Sequence, residues 1–188
     1  DAEIADLAFD SLKSLLMVSQ PTPKLISLFL NQFESLVSIL DKTKPLIILQ
    51  LLSKAPSTFI GISSKKEILD TFEKCIEEPS NDLKIFTLKL ISTFLYNDKS
   101  GLFISQISKS LINLLDDKDE IITFLAASNL TLSYSYLTDK SFFLCDKVIN
   151  YLTKSFKSQN EDICCAGLRL LGVLTSERQS AIFLDKSE

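Results

Sequence analysis

The most reactive side chains in this sequence are four thiols, Cys75, Cys145, Cys164 and Cys165. Two are adjacent, in "EDICCAGLRLLGVLTS" near the C-terminus. A thiol becomes a nucleophile or a metal ligand when a cationic neighbour, a base or a metal stabilises its thiolate. The chain contains no histidine. That removes Ser-His-Asp and Cys-His catalysis, imidazole general bases and imidazole metal ligands. No two cysteines form a C-x-x-C pair, so neither a zinc site nor a dithiol redox motif has support in the spacing. Gly61, Gly101, Gly167 and Gly172 are scattered and make no phosphate-cradling loop. The acidic pairs Glu77-Glu78 and Asp116-Asp117 fall at helix ends or turns, where solvated charge is a simpler reading than acid–base catalysis. The expectation is a chain with no catalytic residues, no metal and no cofactor. Its function should then be binding.

The segments that position these residues are helical. Apolar residues recur every three or four positions nearly throughout. In "DAEIADLAFDSLKSLLMV", Ile4, Leu7, Ala8, Leu12, Leu15 and Leu16 form one stripe. "SQPTP" breaks it, and Thr22-Pro23 can open "KLISLFLNQFESLVSIL". Pro45 opens "LIILQLLSK", which Pro56 closes. Ser64 and Glu67 fit a capping box before "KKEILDTFEKCIEE". "PSND" then ends that helix and caps "LKIFTLKLISTFLY". The remaining helices read "SGLFISQISKSLINLL", "EIITFLAASNLTLSYSYL", "SFFLCDKVINYLTKSF" and "EDICCAGLRLLGVLTS", for nine in all. Thr131, Ser133 and Tyr134 have some β character, but a lone strand would have no partner. The fold class is all-α.

Three of these helices resemble one another. "DLKIFTLKLISTF" starts at Asp82, "EIITFLAASNLTL" at Glu120 and "DICCAGLRLLGVL" at Asp162. The first and third align without a gap and lie 80 residues apart, which is two units averaging 40. That period, built from antiparallel helix pairs, is the size of armadillo and HEAT repeats. The expected architecture is a right-handed superhelix with a concave binding face, filling residues 1–188 as one domain.

On the last helix, 100° steps place Ile163, Gly167, Leu170 and Leu174 on one side, with Cys164, Leu168 and Leu171 beside them. The opposite side carries Asp162, Cys165, Arg169 and Gly172, flanked by Ala166 and Val173. Cys164 is therefore expected in the core. The opposite strip has two readings. Its small residues leave room for a partner's backbone beside an arginine fork, or they allow close helix packing with Arg169 solvated. Lys89 occupies the repeat position of Arg169.

"AASNLTLSYS" (126–135) and "LRLLGVLTSERQSAIFLDKS" (168–187) resemble the PUL domain, the C-terminal helical domain of the phospholipase-activating-protein family of ubiquitin-pathway adaptors. The resemblance continues through "LIILQLLSKAP" (46–56) and "FTLKLISTFL" (86–95). It implies an armadillo-like fold whose basic groove holds the acidic C-terminal tail of a hexameric AAA ATPase, the ubiquitin-selective segregase. Lys89 matches one basic position of that pattern. Gln50 and Ala166 stand where the family usually has arginine. Lys54 follows Gln50 by four positions, and Arg169 follows Ala166 by three, so each substitute shares a helix face with the position it replaces. Gln50, Lys54, Lys89, Ala166 and Arg169 are thus the expected peptide-binding residues. Ser133 replaces a family asparagine, while Tyr134 agrees. The acidic start "DAEIADLAFD" reads as mid-protein sequence, so a fragment of a larger protein is expected, and "DKSE" stops where the family continues into another helix, so the last repeat is expected to be incomplete.

Bulk properties agree with a binding domain. Hydrophobic residues make up 46% of 188, enough for a sizeable core. A net charge of −4 argues against a nucleic-acid partner. No apolar run approaches membrane-spanning length. Cysteines without a disulfide framework fit a reducing compartment, so a cytoplasmic or nuclear monomer is expected. The competing expectation is a structural array that scaffolds an attached catalytic or thioredoxin-like module and binds no ATPase tail.

Overall fold

In the computed structural model, residues 66–97 and 102–176 are described, together with Leu7, Ser11 and Ser14. The chain falls into two compact units, Asp1–Thr71 and Phe72–Glu188. In the first unit, Leu7, Ser11 and Ser14 are helical and exposed, and the Ser11 hydroxyl donates to the Leu7 carbonyl at 2.8 Å. Pro23, Pro45, Pro56 and the Ser64 cap lie outside the described residues.

The described residues are all-helical. Six α-helices follow in order: α1 (Lys66–Glu77), α2 (Asn81–Asn97), α3 (Leu102–Asn113), α4 (Glu120–Tyr134), α5 (Asp146–Phe156) and α6 (Glu161–Thr175). Short 3-10 turns occupy Leu114–Asp116 and Ser141–Phe143. Thr131, Ser133 and Tyr134 lie inside α4.

Caps set the helix starts. Ser80 precedes α2, and its hydroxyl accepts from the Leu83 amide at 3.4 Å. Asp119 is extended and takes the Ile121 amide at 2.9 Å. Asn160 takes the Asp162 amide at 3.0 Å in the same way. Each such bond satisfies an amide that has no partner inside the helix. The caps at 80, 119 and 160 keep the forty-residue period seen in the sequence.

The period has a packing counterpart. Helix α4 packs against α2 on one side and α6 on another, and also against α3. Helix α5 packs against α6 and, less extensively, α3. A helix enclosed this way is apolar around most of its circumference, which accounts for "EIITFLAASNLTL". Polar side chains at the helix starts reach across to the neighbouring helix. Asn81 donates to Asp119 at 3.0 Å, and Asn160 donates to Glu120 at 3.1 Å.

Phe72, fully buried, meets Phe94 and Phe103 edge-on at 5.7 and 5.4 Å between ring centres. Four buried hydroxyls are satisfied within their own helices. Thr87, Ser108, Ser133 and Ser155 bond to carbonyls three or four residues back. Asn129, fully buried, is different. Its amide donates to the Leu88 carbonyl of α2 at 2.9 Å and accepts from the Ser92 hydroxyl at 2.7 Å. These bonds form a polar seam between α2 and α4.

One helix starts later than the pattern predicts. "SFFLCDKVINYLTKSF" is helical only from Asp146. Asp139 accepts from both the amide and the hydroxyl of Ser141, at 2.9 and 2.7 Å, and holds a tight turn. Phe143 then packs edge-on against Tyr134 at 5.1 Å. Cys145 is extended, so the turn cannot run on into α5.

Candidate functional site

Helix α6 carries the strip around Arg169. Ile163, Gly167, Leu170 and Leu174 are buried, while Asp162, Cys165, Arg169 and Gly172 are exposed. The main division of the helical wheel therefore holds. Three assignments change. Ala166 is 2% exposed and belongs to the buried side, and Leu168 is 55% exposed. At 100° per residue Leu168 lies about 140° from Ile163, beyond the reach of α4 and α5. Cys164 is half-buried rather than fully enclosed.

Ala166 and Arg169 nevertheless meet at one place. Both line a hollow of about 120 Å3, with Ser128, Thr131 and Leu132 of α4 and Tyr96 of α2. Ala166 and Leu132 are its apolar lining, and Arg169 is its one basic residue. Tyr96 is 70% exposed, an unusual amount for an aromatic ring. The Thr131 hydroxyl donates back to the Ala127 carbonyl at 2.9 Å. The hollow thus combines a guanidinium, an accessible ring and a small apolar base, drawn from α2, α4 and α6.

Lys89 lies on the same stripe of α2 as Tyr96. Lys89, Thr93 and Tyr96 are all exposed, and helical rise puts the first about 10 Å along the axis from the last. Lys89 and Arg169 stand on the two helices that flank α4. Gln50 and Lys54 lie outside the described residues. Acidic side chains gather instead at the helix starts: Asp82 on α2, Glu120 on α4, Glu161 and Asp162 on α6. There they favour the helix dipole. Basic charge in mid-helix and acidic charge at the starts give this face a gradient along the helix axes.

Tyr96, Ser128, Thr131 and Leu132 were not expected as site residues from the sequence. Tyr96 had a signal. The spacing 89, 93, 96 is one helical stripe, offset from the buried positions 88, 91 and 95. The three α4 residues had none, because an apolar helix does not reveal which gap between neighbours stays open.

The acidic pair Asp116-Asp117 is engaged rather than simply solvated. Asp117 bonds Lys84 at 3.2 Å, and Asp116 meets Lys154 at 3.5 Å. Burial pushes the Asp117 carboxyl up, but the Asp119 amide and the Lys84 ammonium outweigh it, so its pKa is lowered. No disulfide joins the four cysteines: Cys75 is buried, Cys145 and Cys164 are half-buried, and Cys165 is exposed. Among the described residues no three histidine, cysteine or acidic side chains converge on one point. No described helix is long and apolar enough to cross a membrane. Comparisons with protein-family models, curated proteins and solved structures give no match for this chain.

Proposed function

We propose that this chain is a non-catalytic peptide-binding domain of the ubiquitin and segregase pathway. In this reading its helix pairs form an armadillo-like array, and its groove holds the acidic C-terminal tail of the hexameric AAA ATPase. The observation that carries the reading is the hollow between α2, α4 and α6, where Arg169 and the exposed Tyr96 face one small apolar base. An extended peptide fits such a site with a carboxylate on Arg169 and an apolar or aromatic side chain against Tyr96. Lys89 extends the basic stripe for a longer acidic segment. The forty-residue spacing of the caps supports the array.

Isothermal titration of the full chain with the acidic tail peptide at moderate salt tests this. Binding is expected, with loss of heat in Lys89→Glu plus Arg169→Glu and weakening in Tyr96→Ala. Absence of binding by the folded wild-type chain refutes the reading and leaves the scaffold alternative. Binding that survives the double charge reversal places the peptide elsewhere.

A further inference from the structure

A second and larger cavity, of about 270 Å3, lies nearer the start of α4 and includes residues from α5 and α6. Tyr151 of α5 lines it and is 3% exposed. The Tyr151 hydroxyl has no hydrogen-bond partner. Buried hydroxyls are normally satisfied, so an orphan beside a cavity marks a missing partner. Burial pushes this phenol up to about 12, so it is neutral and can still accept a hydrogen bond.

The surrounding charges define what the partner is. Asp117, Glu120 and Lys154 also line the cavity. Asp117 is taken by Lys84 and the Asp119 amide, at 3.2 and 3.0 Å. Lys154 is drawn toward Asp116. Glu120 has only the neutral Asn160 amide on its carboxylate. One full negative charge beside the cavity therefore lacks a cationic partner among the described residues. An anion would face two carboxylates. One amide at each of these helix starts is also in use, because Asp119 holds the Ile121 amide and Asn160 holds the Asp162 amide. The rest of the lining includes the apolar side chains of Leu115 and Ile163.

We propose that this cavity binds a primary ammonium group on a short alkyl stem. The ammonium donates to the Glu120 carboxylate and to the Tyr151 hydroxyl oxygen, and the methylenes lie on Leu115 and Ile163. The volume leaves room for several waters, at about 30 Å3 each. A lysine side chain of a peptide and a free alkylamine share this chemistry. The site is separate from the Arg169 hollow and stands whether or not an acidic peptide binds there.

Nuclear magnetic resonance titration of the full chain tests it, with n-butylammonium, n-butanol, butyrate and N-acetyl-lysine methylamide as probes. Butylammonium is expected to shift the Thr123, Tyr151 and Ile163 resonances in a saturable way. Butanol should bind about tenfold more weakly, the value of one charge-assisted hydrogen bond. Butyrate should leave these resonances in place. Glu120→Gln should weaken butylammonium about tenfold and Tyr151→Phe about fivefold, with the other resonances of both variants unmoved. Equal binding of the lysine derivative assigns the site to peptide side chains, and butylammonium alone assigns it to free amines. Butylammonium shifts that avoid these residues, or that persist in Glu120→Gln, overturn the proposal. So does butyrate binding as strong as that of butylammonium.

Discussion

Gly167 and Gly172 sit five residues apart on α6, and alanine should have opposite effects at the two. A methyl group at Gly167 would collide with the Ser155 hydroxyl and lie 2.7 Å from the Ser155 Cβ. Carbon atoms prefer to stand about 3.5–4.0 Å apart. The Ser155 hydroxyl can rotate away, but its Cβ is fixed to the α5 backbone. Relief therefore requires α5 and α6 to part by about 1 Å. Overpacking of this kind costs about 1–3 kcal/mol. Replacing glycine inside a helix returns about 1 kcal/mol, so Gly167→Ala should be neutral to destabilising by about 2 kcal/mol. At Gly172 the methyl meets nothing within 4 Å. Only the helix gain remains there, so Gly172→Ala should stabilise by about 0.5–1 kcal/mol. The two alanines should thus differ by about 1–3 kcal/mol. Denaturant midpoints at unchanged slope measure this directly. Adding Ser155→Gly to Gly167→Ala removes the obstructing carbon, and a double-mutant cycle should return a favourable coupling. Equal stability of the two alanine variants, or a cycle with no coupling, would refute the close approach of α5 and α6.

Three further outcomes are expected. Asn129→Ala should cost about 2–3 kcal/mol in chemical unfolding, because it removes a buried amide that serves both the Leu88 carbonyl and the Ser92 hydroxyl. Asp117 has its pKa lowered below 3.8 in the folded chain. The unfolded chain therefore takes up the proton first, and the stability this group contributes at neutral pH is lost as pH falls through its folded value. Asp117→Asn should flatten that acid limb in pH-dependent unfolding curves. Under native conditions a thiol reagent should modify Cys165 fastest and Cys75 slowest, with Cys145 and Cys164 between, as read by peptide mass spectrometry.

The fold was legible where local chemistry is decisive. Polar interruptions marked six helices over residues 66–176, and "PSND" was read as the cap of one of them. A cap acts on the amides of its own first turn, so it can be read without knowing the neighbours. The late start of α5 was hidden because Phe142, Phe143 and Leu144 continue a helical pattern, while the Asp139–Ser141 bonds that break it look like ordinary loop residues. The candidate site was legible in part. Charge placed Arg169 and Lys89 on exposed stripes. Ala166 was misplaced because a helical wheel gives an angle but not which neighbour occupies it. The hollow itself is a gap between three helices, and a gap depends on the distances between side chains far apart in the chain.

The Asn129 seam has a consequence for how freely this surface can vary. Sliding α4 past α2 by one turn, about 5.4 Å, would carry the amide away from Leu88 and Ser92 and strand it in apolar surroundings. Greasy helices slide cheaply, but this one is keyed. The key is hidden from any partner, so selection on the outer residues leaves it untouched. Tyr96, Ser128 and Leu132 could be exchanged without shifting the phase in which the helices present these positions. The surface would then act as interchangeable type held in a fixed frame.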